Sequence, residues 1–207
     1  MVHHVDPGYS SDIAFTPSVK TVQARKGSRT TYARAEANGA WPTSVSPELA
    51  EFIESQTSAF LGTASADKQP YVQHRGGPPG FLRVLDEHTI AFADFRGNRQ
   101  YITLGNLAEN PKAHLFLIDY ATRRRVKFWG EACVVENDSA LIAQLMPHGY
   151  KARAEQAIVF SVHAWDANCP QHIPRRVDAT TVAAVLAERD RRIAALEREV
   201  ERLRVGK

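Results

Sequence analysis

Sulfur is scarce in this chain: two cysteines and two methionines in 207 residues. Cys133 stands in an apolar strand pattern and Cys169 precedes a proline, too few thiols for a disulfide framework and the usage of a reducing compartment. Cys169 and His172 lie three apart, but no second close pair accompanies them, so the sequence assigns no metal site. Long apolar runs are missing too; none approaches the roughly 20 residues that span a bilayer. The start, MVHHVDPGYSSD, lacks the basic, apolar and small-residue regions of a secretory signal, so a cytoplasmic location is expected. There is no G-x-G-x-x-G, no G-x-x-x-x-G-K-S/T and no G-x-S-x-G, which excludes a Rossmann-held nicotinamide, a P-loop and a serine-hydrolase elbow. Nor is one charge sign dominant. The 26 basic and 23 acidic residues leave a net charge of +3, the cations are spread out, and no aromatic cluster accompanies the arginines, so nucleic acid is not an expected partner.

What is present is a run of short strand patterns. Residues 1–45 are polar and broken by Pro7, Pro17, Gly27, Gly39 and Pro42; they read as an N-terminal arm with one helix around Val19–Lys26. Within it, Lys26-Gly27-Ser28-Arg29 reads as a solvated loop or, less readily, a contact to an anion. Ser46-Pro47-Glu48 then supplies a cap hydroxyl, a first-turn proline and a first-turn acid, predicting a helix that buries Leu49, Phe52 and Ile53. Strand patterns follow at 59–64, 70–75, 81–85, 89–93, 114–120, 125–135 and 157–164. A helix ending at Asn110-Pro111 and another capped by Asp138 interrupt them. About seven hairpin-linked strands with few helices between them imply a mainly β fold, a closed or nearly closed antiparallel barrel with flanking helices. Residues 46–177 form this domain. The remainder, 178–207, carries Val182, Leu186, Ile193, Leu196, Val200 and Leu203 at spacings of three and four. That pattern suits a coiled coil, a helix docked on a partner subunit, or a single amphipathic helix on its own domain.

The chemistry concentrates between Tyr71 and Pro111. In Arg96-Gly97-Asn98-Arg99-Gln100 the glycine permits close backbone approach, the asparagine suits a helix cap, and two guanidinium groups can grip phosphate oxygens. A helix start adds unpaired N–H groups and partial positive charge. Arg75 and Arg83 each stand in a strand pattern where an unpaired arginine is costly to bury, and a shared anion removes that cost. Gly76-Gly77-Pro78-Pro79-Gly80 offers a rigid bend bare of side chains as a floor for a flat ring, or simply a long hairpin turn.

These residues carry a resemblance. Leu49 to about Val135 resembles the FMN-binding split-barrel family of the pyridoxamine 5'-phosphate oxidase type, on the motifs Arg75–Asp86, Gly97–Arg99 and Asn110-Pro111. The resemblance implies a Greek-key split barrel that forms a homodimer, with FMN held in clefts between subunits. By it, Arg75, Arg83, Asn98, Arg99 and Gln100 would bind the cofactor, with Gln100 standing where the family has lysine; the residues themselves add Arg96 and the bend at Gly76 and Gly77 to the expected cofactor-binding set. Further along, Trp165 and Arg175 are placed at the flavin ring by the same resemblance, while the rest of the oxidase's C-terminal substrate signature is missing. Asn168, Gln171 and His172 form a polar group suited to ring edges or substrate, with His172 the candidate proton-transfer residue. The expected activity is a two-electron oxidoreductase fed by a nicotinamide or another small molecule, or else a flavin-carrying or sensing module without turnover; deazaflavin and haem are the alternative cofactors of this superfamily.

Overall fold

The structure, a computed structural model, describes residues 8–168, 170–177 and 179–205, without the side chain of Asn168. It divides into two compact units. One runs to Ile118 and resumes from Arg125 through Asn168; the other comprises Asp119–Arg124 and the residues from Pro170 onward.

In the first unit, seven strands form one sheet: β1 (Ser58–Ala64), β2 (Pro70–Gly76), β3 (Arg83–Asp86), β4 (Thr89–Phe95), β5 (Lys112–Asp119), β6 (Arg124–Val135) and β7 (Ala154–Asn168). Their order is β2-β1-β5-β6-β7-β4-β3, and the pairs β1/β2, β1/β5, β3/β4, β4/β7 and β6/β7 are antiparallel. Period-two alternation directs one face inward. Ala59 and Leu61 of β1, Leu115 and Leu117 of β5, Val126 and Phe128 of β6, Ile90 and Phe92 of β4, and Phe160 and Val162 of β7 share a single core. Strands from both halves of the sheet pack on one another, the arrangement expected of a split barrel. Each large side chain removed from water contributes about 1.5–3 kcal/mol, so this cluster dominates stability.

Helix α3 (Pro47–Ser55) plugs that core with Leu49, Phe52 and Ile53. Its start is fixed as the sequence predicts, with the Ser46 hydroxyl accepting from Leu49 N at 3.3 Å behind Pro47. Helix α5 (Ser139–Leu145), capped by Asp138 through Leu141 N at 2.9 Å, sets Leu145 against Ala91, Ala93 and Ala157 on the other side of β4 and β7. β4 is therefore covered on both faces. At the β6/β7 bulge beside Gly130, a Cβ would lie 1.9 Å from Ser161 O, so only glycine lets the strands approach.

After a short 3-10 helix at Ser10–Ile13, the N-terminal segment holds two α-helices where the sequence pattern predicts one, α1 (Pro17–Lys26) and α2 (Arg29–Ala37). Lys26–Arg29 is the turn between them. Gly27 ends α1 in the left-handed region (φ 81°), and Arg29 pairs with the buried Glu36 and donates to Gln23 Oε1 at 2.8 Å, so it serves the fold. Residues 41–45 then cross the barrel as a strap. Pro42 O accepts from Trp165 N (3.0 Å), Ser44 O from Trp165 Nε1 (2.8 Å), Thr43 O meets His88 Nδ1 (2.9 Å), and Val45 N donates to Glu87 O (2.7 Å). Trp41 stacks on Trp129 at 4.6 Å.

In the second unit the guanidinium of Arg176 covers the Tyr120 ring at 4.2 Å. Helix α6 (Ala179–Val205) follows, with no buried residue. Among the described residues, no helix is long and apolar enough to cross a membrane.

Candidate functional site

β4 reads TIAFADF, an apolar strand with one carboxylate. Asp94 is 5% exposed, lies in register with Gln156 of β7, and accepts from Gln156 Nε2 at 2.6 Å. Its other oxygen pairs with Arg75 of β2. β2 is one edge of the sheet and β4 stands next to the opposite edge, so this ion pair bridges the split. Arg75 Nε is buried and has no hydrogen-bond partner, an unspent donor at the cleft.

Around this pair lies a cleft of about 160 Å³, lined by Gln73, Arg75 and Gly76 from β2, Phe92 and Asp94 from β4, and Gly97 beyond it. It continues along Asn98–Tyr101 to Thr103 and Glu155. Thr103 Oγ1 donates to Gln73 Oε1 at 2.8 Å, and Asn106 Nδ2 to Thr63 Oγ1 at 3.0 Å, fixing helix α4 (Ile102–Glu109) over β1 and β2. Gly97 is exposed and lines both parts of the cleft, and a Cβ there would meet nothing within 4 Å.

The loop differs from the sequence prediction in one respect. Arg99 (φ 62°) and Tyr101 (φ 54°) adopt left-handed backbone, which delays the helix to Ile102. Asn98 is therefore no cap; its Oδ1 accepts from Gln100 N at 3.3 Å, and no side chain caps α4. Arg96 to Gln100 form an irregular loop before the helix. Two non-glycine residues in this region cost about 1–3 kcal/mol each, and such strain collects at ligand sites. Arg99 Nε donates to Tyr101 OH at 3.0 Å, and that hydroxyl donates to Glu155 Oε2 at 3.2 Å. The Tyr101 hydroxyl, with Glu155 adding its charge, raises the Arg99 pKa further. Arg96 Nε stands 3.6 Å from Glu155 Oε1. Three guanidinium groups thus face two carboxylates.

Of the residues singled out in the sequence, Arg75, Gly76, Asn98, Arg99 and Gln100 line this cleft, and Arg96 adjoins it through Glu155. Arg75 does not await an external counter-charge as expected, because Asp94 already supplies one. Gly77 is set by packing, since a Cβ there would lie 2.6 Å from Phe81 Cβ. Arg83 opens β3 outside the cleft lining, 4.0 Å from Glu54. Trp165 is not in a loop after the last strand; β7 runs on through Asn168, and Trp165 lies nine residues beyond Gln156, roughly 30 Å along the strand. Its roles within this chain are to anchor the strap and cover the core. Gln171, His172 and Arg175 are exposed residues of the second unit, His172 in a turn at φ 63°. Cys169 and the Asn168 side chain lie outside the described residues. Among the described residues, no group of three or more His, Cys, Asp or Glu side chains is arranged to hold a metal.

Sequence reasoning missed Asp94, Gln73, Tyr101 and Glu155. A lone acid in an apolar strand was the available signal for Asp94. A separate half-buried residue, His114 of β5, sits edge-on to Trp129 at 4.8 Å; burial, and then the charge of Lys127, lowers its pKa.

No curated protein sequence matches the chain. Among solved structures, HupZ of Group A Streptococcus is 14% identical with a TM-score of 0.50, over 64% of this chain and 99% of that one. An FMN-binding protein of Syntrophomonas wolfei is 12% identical (TM-score 0.48, 73% and 97% covered). A putative pyridoxamine 5'-phosphate oxidase of Lactobacillus delbrueckii is 18% identical (TM-score 0.47, 60% and 95% covered). The HupZ likeness concerns the fold. Residues 45–186 match the pyridoxamine 5'-phosphate oxidase family model, more than half of the chain, and with the antiparallel sheet described above this chain belongs to that family.

Proposed function

We propose that this protein is an FMN-dependent oxidoreductase that works as a homodimer. The observation that carries the proposal is the convergence of Arg75, Asn98, Arg99 and Gln100 on one cleft at the split of the sheet, with Arg96 beside it. A phosphate is the anion that such a set of donors suits. Arg75, Arg99 and the amides of Asn98 and Gln100 are the groups that would hold it, with Arg96 near the entrance. Phe95 and Tyr101 flank the cleft beside Gly97 and are the rings against which the flat part of a mononucleotide would lie. Bound FMN supplies two-electron redox chemistry, passing reducing equivalents from a nicotinamide or another small donor to an acceptor. The chain's own part is to bind the phosphate, orient the ring and limit access to it.

A homodimer is the assembly this reading favours: at about 160 Å³ the cleft is smaller than the roughly 300–1,000 Å³ of ordinary ligand sites, and a second copy would supply the remaining wall. Trp165 lies too far along β7 to serve its own cleft, and a ring-side role for it means serving the other copy's.

A carrier or sensing role is the second reading. It is favoured by the engagement of both cleft carboxylates with neighbouring side chains, which leaves neither free to move a proton. The test is the visible spectrum of the purified protein with FMN, before and after NADPH under nitrogen and then air. Bleaching, recovery and continued NADPH loss identify a turning-over enzyme. A flavin spectrum that persists unbleached favours a different donor or a carrier, and failure to bind FMN removes the proposal.

A further inference from the structure

Helix α6 exposes an apolar stripe interrupted only by Arg189. Val182, Leu186, Ile193, Leu196, Val200 and Leu203 are 43–62% exposed, and the helix buries nothing. The family match ends at residue 186, so most of this stripe is an addition to the family's domain. The spacing assigns heptad positions. Leu186, Ile193 and Val200 fall at a, and Val182, Arg189, Leu196 and Leu203 at d. In the C-terminal half, β-branched residues at a alternate with leucine at d, the combination that favours two parallel strands. A groove lined by Ile193, Leu196, Glu197, Val200 and Arg204 is the kind of hole into which a facing side chain inserts.

Charge names the occupant. Arg192 and Glu199 fall at g, and Glu197 and Arg204 at e. In a parallel, in-register pair of identical helices, g of one heptad faces e of the next heptad on the other strand. Arg192 then meets Glu197, and Glu199 meets Arg204, opposite signs in both cases and on both sides of the seam. Antiparallel pairing instead sets e against e, where Asp190, Glu197 and Arg204 bring at least one pair of like charges together. Arg189 fixes the register: aligned copies gather both guanidinium groups in one layer beside the Asp190 carboxylates, whereas a one-heptad slip buries each against an apolar layer. The outward positions carry Glu188, Arg191, Arg198, Glu201 and Arg202, as a solvated back requires.

We infer that α6 pairs with the same helix of a second copy of this chain as a parallel, two-stranded coiled coil over about Val182–Leu203. The inference does not depend on the flavin reading. About three heptads pair weakly on their own; where the barrels also associate, the second contact becomes intramolecular and gains an effective concentration in the millimolar range.

The test is disulfide trapping in the full-length chain with Cys133→Ser and Cys169→Ser. Leu203→Cys, at a d position, should link nearly all chains into covalent dimers under mild oxidation. Arg198→Cys, on the solvated back, should give little. Antiparallel pairing separates the two 203 positions by roughly 20–30 Å, so it leaves Leu203→Cys unlinked. Glu199→Arg should suppress the Leu203→Cys product, and adding Arg204→Glu should restore it, because only the interchain pair is rebuilt. Circular dichroism verifies that each variant keeps its helix. Equal linking at 203 and 198, none at 203, or no recovery in the charge-reversed double variant overturns the inference. Light scattering on a chain ending at Arg176 reads the barrel's own association separately.

Discussion

Asp94→Ala is the substitution on which most of this account rests. It leaves Arg75, 11% exposed, without its counter-charge and Gln156 without its acceptor. Removing one side of a buried ion pair costs about 3–5 kcal/mol, and since the cleft admits water to part of Arg75, about 3 kcal/mol is expected. For a chain of this length that corresponds to a fall in Tm of roughly 6–12 °C. Arg75→Met combined with Asp94→Leu should recover most of the loss, because an apolar pair carries no uncompensated charge. FMN should stabilise Asp94→Ala more than the parent protein, its phosphate replacing the carboxylate; at a hundredfold excess over Kd, binding contributes about 2.7 kcal/mol. Differential scanning calorimetry at neutral pH, with and without FMN, reads both quantities. A Tm within about 2 °C of the parent refutes the strand-spanning role, given the expected sensitivity. An equal FMN shift in Arg75→Met and the parent refutes the assignment of Arg75 to the phosphate.

Arg99→Ala removes a charge-assisted phosphate contact and should weaken FMN binding by roughly 10-fold or more in a fluorescence titration; unchanged affinity means that the phosphate lies elsewhere. Gly130→Ala, forced against Ser161 O, should lower the unfolding free energy from denaturant titration by about 3 kcal/mol while leaving the secondary structure of surviving protein intact. His114 should titrate below the usual imidazole value of about 6.5 by NMR, and Lys127→Gln should move it partway back, since burial is the larger cause. The sign follows from linkage: the unfolded chain takes up the proton first, so the stability from neutral His114 is complete above about 6.5 and is lost as pH falls through the lower folded value. A chain ending at Arg176 should still bind FMN, because no cleft-lining residue lies beyond it; loss of flavin on gel filtration places the helix within the binding assembly.

Much of the barrel was legible because single residues decide it locally. Ser46-Pro47 and Asp138 start helices by the same side-chain cap in sequence and in space. The alternation of Ala59, Leu61 and Thr63 gives the inward face of β1 directly. Helix α2 was hidden because RTTYARAEA carries no apolar stripe; the Glu36 carboxylate, reached by Arg29 and by Lys20 from α1, supplies the tertiary reason for it. The start of α4 was misplaced because backbone sign at Arg99 and Tyr101 has no signature in residue type. At the cleft, the basic and amide residues could be gathered from a few adjacent motifs. Asp94 and Glu155 could not, since each meets its arginine only after the sheet has curled, across 19 and 59 positions of chain.

The strap at residues 41–45 has a consequence for how this protein tolerates change. Three of its four hydrogen bonds to the barrel use main-chain carbonyls and the fourth a main-chain N–H, so they are indifferent to the side chains at Thr43 and Ser44. They depend instead on spacing. Trp41 must reach Trp129 while Val45 reaches Glu87, and one residue more or fewer between them puts every carbonyl out of step with its donor. Replacement there is cheap and insertion is not, so a segment that looks like an ordinary polar loop would accept many sequences but only one length.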